Sequence, residues 1–216
     1  MRFLIALWAA KISARLLRLL RRNASQFPGK LAMQLCPDFL GRIGKPARII
    51  AITGSNGKTT TTNFIADTLA ASGVRLLSNK LGSNLEAGIA TSLALGATLK
   101  GAASAPVAVF EVDERASRLI YARITPEILL VTNLTNDTIK RNAHPEYIRW
   151  IIESALPAST KLVLNADDPV SRELGATQPE RVFFAVDSAA DYRCLRQKTL
   201  ALVASPPARG SPGRRR

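Results

Sequence analysis

The sequence predicts an α/β fold: a mainly parallel sheet with helices on both faces, built around a phosphate loop (P-loop) and preceded by an amphipathic amino-terminal helix. Three observations carry that prediction. Short apolar runs end in polar or glycine-rich turns near residues 53, 111, 132 and 165, and segments of helical periodicity separate them. One of those turns, Thr53-Gly54-Ser55-Asn56-Gly57-Lys58-Thr59-Thr60, has the composition that cradles phosphate. The 216 residues, 47% hydrophobic and 21% charged, suit one full domain with appendages and exclude a disordered chain, a disulfide-dense miniprotein or a collagen-like repeat.

The net charge of +14 raises the question of nucleic acid or an anionic membrane surface. Its distribution narrows the answer. Residues 1–48 hold ten basic residues and one acidic, and residues 193–216 hold seven basic and none acidic. Residues 49–192 hold 13 basic and 15 acidic residues, so the basicity belongs to the ends and no nucleic-acid partner is expected. Two cysteines, Cys36 and Cys194, and one histidine, His144, are too few for a four-ligand zinc site. The cytoplasm is the default compartment.

Taken in order, the elements begin with Met1 to Ala10, which starts like a signal peptide. Lys11, Arg15, Arg18, Arg21 and Arg22 then interrupt it, short of the about 20 apolar residues a membrane span needs. Leu4, Leu7, Ile12, Leu16, Leu19 and Leu20 recur at helical spacing, with the cations mostly off that stripe. Two readings of this basic amphipathic helix stay open. It rests on the inner face of the membrane as a peripheral contact, or it packs on the domain with its cations in water. Residues 23–46 read as a connector with a short helix, punctuated by Pro28-Gly29, Cys36-Pro37 and Gly44-Lys45-Pro46. The expected divisions are 1–46, a nucleotide-binding domain at 47–190, and a basic tail at 191–216.

Arg48 to Ile52 reads as a buried strand running straight into the phosphate loop. Phe64, Ile65, Leu69 and Ala70 then keep helical spacing until Ser72-Gly73. Gly54 and Gly57 allow a tight turn with backbone N–H groups aimed at phosphate oxygens, and Asn56 and Thr60 complete the loop. The helix starting near Lys58 adds its positive end. Lys58 reaches the β- and γ-phosphates, and the Thr59 hydroxyl ligates Mg²⁺. The usual G-x-x-x-x-G-K-[ST] pattern would want glycine at Ile52; this is the shorter G-x-x-G-K-T-T form. Nucleoside triphosphate binding is expected.

A second strand, Pro106 to Phe110, delivers Glu111-Val112-Asp113-Glu114 to its carboxyl end, where open α/β sheets bind ligands. Glu111 is the first candidate to hold Mg²⁺ opposite Thr59. Glu127 to Val131 leads to Thr132-Asn133-Leu134-Thr135-Asn136-Asp137, and Lys161 to Leu164 leads to Asn165-Ala166-Asp167-Asp168-Pro169. Helices are expected at 84–97 and 144–156, and a strand near 181–186.

These segments in this order resemble the central ATP-binding domain of the Mur ligase family. The resemblance rests on the phosphate loop, the strand ending in Glu111, Val131-Thr132-Asn133 with Asp137, and Asn165 to Pro169. Ser78-Asn79-Lys80-Leu81-Gly82-Ser83-Asn84-Leu85-Glu86-Ala87-Gly88-Ile89, the Glu-Val-Asp-Glu run and Leu31 to Pro37 are similar to the MurT-type branch, the ATP-using subunits of lipid II isoglutaminyl synthases. That likeness spans residues 1–187.

It implies carboxylate activation: ATP phosphorylates a substrate carboxylate and an amine attacks the acyl phosphate. In the MurT type the amine is ammonia from a glutamine amidotransferase (GatD-like) partner in a heterodimer. The acceptor there is the D-glutamate α-carboxyl of lipid II, which becomes D-isoglutamine. The resemblance makes Lys58 and Glu111 catalytic, puts Thr59 and Glu111 on Mg²⁺, brings Asn84 close to the phosphates, and places Asn165 and Asp168 toward the nucleoside.

The chain departs from the family in three places. Asp137-Thr138-Ile139-Lys140 stands where many members have Asp-His-Leu-Asp, and the nearby lone His144 before Pro145 reads as a helix cap. Only Cys194 stands where the MurT type carries a four-cysteine zinc ribbon, and no segment of these 216 residues resembles the family's carboxyl-terminal domain. Arg193 to Arg216 reads as a disordered basic tail or as sequence beyond a lost reading frame, so a piece of a longer ligase is expected. The rival readings are another Mur-family amide-forming ligase, a nucleotide-binding module without catalysis and, on the net charge alone, a nucleic-acid-binding ATPase.

Overall fold

Runs of Ile, Val and Leu bounded by turn residues become strands, and the stretches between them become crossover helices. The computed structural model describes residues 1–79, 83–135 and 144–185. Three helices come first: α1 (Arg2–Leu19), α2 (Phe27–Leu35) and α3 (Phe39–Arg42). Then follow β1 (Arg48–Thr53), α4 (Lys58–Ala71), β2 (Leu76–Ser78), α5 (Glu86–Gly96) and β3 (Val107–Glu111). The chain continues with α6 (Ser117–Tyr121), β4 (Ile128–Val131), α7 (Pro145–Ala155), β5 (Lys161–Asn165), α8 (Pro169–Glu173) and β6 (Arg181–Phe184). The expected helices at 84–97 and 144–156 are α5 and α7; β2, α6 and α8 are too short for periodicity to reveal. Lys80 to Gly82, Asp137 with the three residues after it, and the tail with Cys194 lie outside the described residues.

The six strands form one sheet in the order β2-β3-β1-β4-β5-β6, and every neighbouring pair is parallel. The β1–β2 crossover runs in one direction along the sheet and all later crossovers run in the other. Right-handed crossovers therefore place α4 on one face and α5 to α8 on the opposite face. The two cores agree with this. Ile50, Ile52, Val107, Val109, Ile128 and Val163 meet Ala66 and Leu69 of α4. The alternate positions Ala51, Ala108, Phe110, Leu129 and Leu164 meet α5 and α7 in the other. The loops leaving β1 and β3 diverge to opposite faces, which opens a crevice between their carboxyl ends.

Residues 1–46 belong to that second core. Ala6, Leu7, Ala10, Ala32, Phe39, Leu40 and Ile43 share it with the sheet. The connector holds two helices instead of one. Helix α1 splits the stripe drawn from its sequence: of those residues only Leu7 faces the domain. Ala6, Leu7, Ala10 and Ala14 are buried, while Ile5, Trp8, Ile12, Leu16 and Leu19 are exposed. Small alanines let α1 approach α2 and α5 closely, and that contact displaced the bulkier stripe. Lys11 anchors the helix by donating to Ala97 O (2.6 Å) beyond α5, and burial there lowers its pKa.

Candidate functional site

Strand β1 ends at Thr53, whose buried hydroxyl donates to Val112 O at 2.9 Å, locking the mouth of β1 to the exit of β3. The chain then turns through Gly54, at φ +130°, where an added Cβ would lie 2.2 Å from Thr132 Oγ1. Only glycine fits that angle and that approach. Gly57 follows at φ +80° as the residue preceding α4. The loop leans on the exit of β4. Ser55 N donates to Asn133 O (2.8 Å), Asn56 N donates to Asn133 Oδ1 (3.0 Å), and Thr132 Oγ1 donates to Asn56 O (2.6 Å). The amides of Ser55 and Asn56 are thus already engaged within the protein. The amides left to face a ligand are those of the first turn of α4, whose amino end no side chain caps.

Lys58 and Thr59 open α4 on the crevice. The Thr59 hydroxyl donates to Glu111 Oε2 at 2.8 Å, and Asn84 Nδ2 donates to Glu111 Oε1 at 3.2 Å. The parallel register setting Ile52 beside Glu111 brings Glu111 to the mouth of β1, where the loop leads into α4. Thr60 is exposed on the same turn. Lys58 Nζ donates to Glu114 Oε1 (2.8 Å), to Gly54 O and to Ser55 O (3.3 Å). Lys58 and Glu114 are both mostly buried, with side chains 16% and 14% exposed. Burial, and next the charge of Glu114, hold the nearby Tyr121 phenol well above its ordinary pKa.

Two contributors were not singled out from sequence. Glu114 was read only as one acid of a cluster, yet it is the counter-ion of Lys58. Buried Asn79 pairs with the Glu111 backbone in both directions, accepting from Glu111 N (2.9 Å) and donating to Glu111 O (2.8 Å). It lies in the Ser78-to-Ile89 stretch, which is the signal that pointed to it.

Asn165 and Asp168 sit farther along the same sheet edge, at the end of β5. Asn165 Nδ2 donates to Thr132 O (2.9 Å). Asp168 Oδ2 accepts from Leu134 N (2.6 Å) and Ser171 N (3.1 Å), so this buried carboxylate caps α8 and ties it to the β4 exit. His144 Nδ1 accepts from Glu146 N at the start of α7, which is the capping role expected of it.

The geometry suits a polyphosphate with a small divalent cation. The direction in which Gly57 would project a Cβ meets nothing within 4 Å. The amino end of α4 offers partial positive charge, and Thr59 with Glu111 supplies hard oxygen donors. Among the described residues no three His, Cys, Asp or Glu side chains cluster as a self-contained metal cage.

Comparison with known proteins agrees with this architecture. Residues 52–202 match the family model for the Mur ligase middle domain, past the boundary at 190 drawn from sequence. The chain is 30% identical over 192 residues to the lipid II isoglutaminyl synthase (glutamine-hydrolyzing) subunit MurT of Staphylococcus aureus strain COL, covering 88% of this chain and 43% of that protein. It is 32% identical over 151 residues to the MurT subunit of Streptococcus pneumoniae R6, covering 68% and 33%. The chain thus spans less than half the length of the curated relatives it matches. The MurF ligase from Thermotoga maritima, solved in complex with ADP, shares the fold with a TM-score of 0.54 at 19% identity, over 74% of this chain and 37% of that one. On the family model and these relatives, the chain belongs to the Mur ligase family and carries the family's middle domain.

Proposed function

We propose that this chain is the nucleotide-binding part of an ATP-dependent carboxylate–amine ligase of peptidoglycan synthesis. The observation that carries the reading is the convergence, at the β1–β3 crevice, of the Thr59–Glu111 hydrogen bond and the Lys58–Glu114 ion pair above an uncapped helix amino end. Bound there, Mg-ATP would supply the phosphoryl group that activates a carboxylate. The chain's residues bind and orient. The first-turn amides of α4 face the phosphates, and Lys58 sets a positive charge beside them once it exchanges Glu114 for a phosphate oxygen. Thr59 and Glu111 hold Mg²⁺, with Asn84 orienting the Glu111 carboxylate from the other side. Concentrated charge on rigid elements is the main contribution a protein makes to such a transfer.

The similarity to MurT subunits supports a finer reading. The activated group is the D-glutamate α-carboxyl of lipid II, the nucleophile is ammonia from a glutamine amidotransferase partner, and the product is D-isoglutamine. A second reading has its own observation. The chain is 33% identical over 177 residues, 78% of its length and 37% of the other's, to a UDP-N-acetylmuramoylalanine–D-glutamate ligase of Streptococcus equi. Ammonia-dependent against D-glutamate-dependent ADP release separates the two readings in the longest available form of the protein.

The nucleotide site is testable on the chain as it stands. In titration calorimetry with Mg-ATP, Lys58→Ala and Glu111→Gln should each weaken binding at least about tenfold, the worth of one charge-assisted contact. Circular dichroism spectra should be unchanged. Equal affinity in wild type and both variants would sink the assignment.

A further inference from the structure

We propose that α1 is a membrane-surface anchor whose outward stripe lies in the interface of an anionic phospholipid bilayer. The inference is independent of the ligase reading. Helix α1 is apolar on two sides. Its alanine side is consumed by the domain. Ile5, Trp8, Ile12, Leu16 and Leu19, spaced at three, four or seven residues, form a continuous stripe on the opposite side, each at least half exposed. Exposed apolar residues scattered singly need no explanation, but five aligned along one helix mark a surface that something covers.

Charge identifies what covers it. Arg15 lies within the stripe, Arg2 and Arg18 flank it, and Arg21 and Arg22 follow its end, all exposed. No acidic residue occurs before Asp38. A second copy of this face would bring like charges together. The chain's own tail, with seven basic and no acidic residues in 193–216, is equally ill-matched. An anionic lipid surface complements both properties at once. The apolar stripe enters the headgroup boundary while the arginines remain among phosphates. The Trp8 indole N–H already donates to Leu99 O at 3.0 Å, so its ring can enter the apolar layer without stranding a donor. Among the described residues no helix is long and apolar enough to cross a membrane. An in-plane helix is therefore the form such a contact would take.

The test uses the full chain with Trp150→Phe, which leaves Trp8 as the sole tryptophan. Vesicles of phosphatidylcholine and phosphatidylglycerol in equal parts should sediment the protein and shift Trp8 emission to the blue, and pure phosphatidylcholine should do so far less. Ile12→Glu/Leu16→Glu should weaken sedimentation about tenfold or more, with the melting temperature unchanged because both side chains are exposed. Leu19→Glu, at the last residue of α1, repeats the test where the cost to folding is smallest. Vesicle binding untouched by these changes, with Trp8 emission unmoved, would overturn the proposal and leave only tail electrostatics. A dimer that Ile12→Glu/Leu16→Glu converts to a monomer, or a Trp8 shift produced by another protein and not by vesicles, would overturn it equally.

Discussion

Lys58 is shared between two loop carbonyls and the Glu114 carboxylate, and that sharing sets what nucleotide binding must undo. A phosphate oxygen competes with Glu114 for the same ammonium, and Glu114 also repels incoming negative charge. Glu114→Gln should therefore tighten Mg-ATP binding by about three- to tenfold, near 1 kcal/mol. Calorimetry beside the wild type measures it; weaker binding would instead make Glu114 the residue that holds Lys58 in its working position. Gly54, Gly57, Lys58 and Thr59 were legible in the sequence because a phosphate loop is local: its residues are neighbours in the chain and in space. The roles of Glu114 and Asn79 were not, since Glu114 meets its partner 56 residues away and Asn79 meets Glu111 across 32. Those distances close only after the strand order is set. Asp168 shows the reverse. Family likeness placed it toward a nucleoside, and the fold adds a role the sequence did not show: its Oδ2 accepts from two backbone amides.

Among the elements, α1 shows both the strength and the limit of periodicity. The 3.6-residue repeat located the helix and one apolar stripe, yet two apolar sides were present and only packing chose between them. The buried side is the one whose alanines permit close approach to α2 and α5. Its carboxyl end carries a backbone feature that no pattern announced. Arg22 N donates to Leu17 O (2.7 Å) and Arg21 N to Arg18 O (2.9 Å), with Arg21 in the left-handed region at φ 54°. This is the helix termination that glycine serves best. Arg21→Gly should thus stabilise the chain by about 0.5–1 kcal/mol in chemical denaturation, because the side chain's steric cost disappears. A loss of stability would show that the arginine contributes a contact worth more than that strain. Helix α7, by contrast, was readable at both ends: His144 and Pro145 open it, and its apolar face of Ile148, Ile151 and Ile152 follows.

At the scale of the whole molecule, charges tie together the amino ends of the strands as the crevice organises their carboxyl ends. Arg48, at the start of β1, donates from Nε and Nη2 to the two oxygens of Glu127, just before β4, at 2.8 Å each. The Arg48 hydrogen bonds, outweighing partial burial, hold the Glu127 carboxyl below its usual range. A depressed folded-state pKa contributes stability that is present above the ordinary carboxylate pKa and lost as pH falls through the depressed value. The wild type should therefore lose about 0.5–1 kcal/mol more than Glu127→Gln between neutral pH and the acid side of that range, a modest figure because the pair is partly exposed. Denaturant titrations of both proteins at the two pH values check it; parallel losses would remove Glu127 from the account. The sequence by itself determined the class of fold, the phosphate loop and the strand that bears Glu111, because these follow from apolar period and glycine placement over a few neighbouring residues. Tertiary structure alone decided that residues 1–46 share the sheet's core, which side of α1 is left outward, that β1 lies between β3 and β4, and that Lys58 meets Glu114. Those outcomes depend on which surfaces pack most closely among segments far apart in the chain, and local patterning carries no term for that competition.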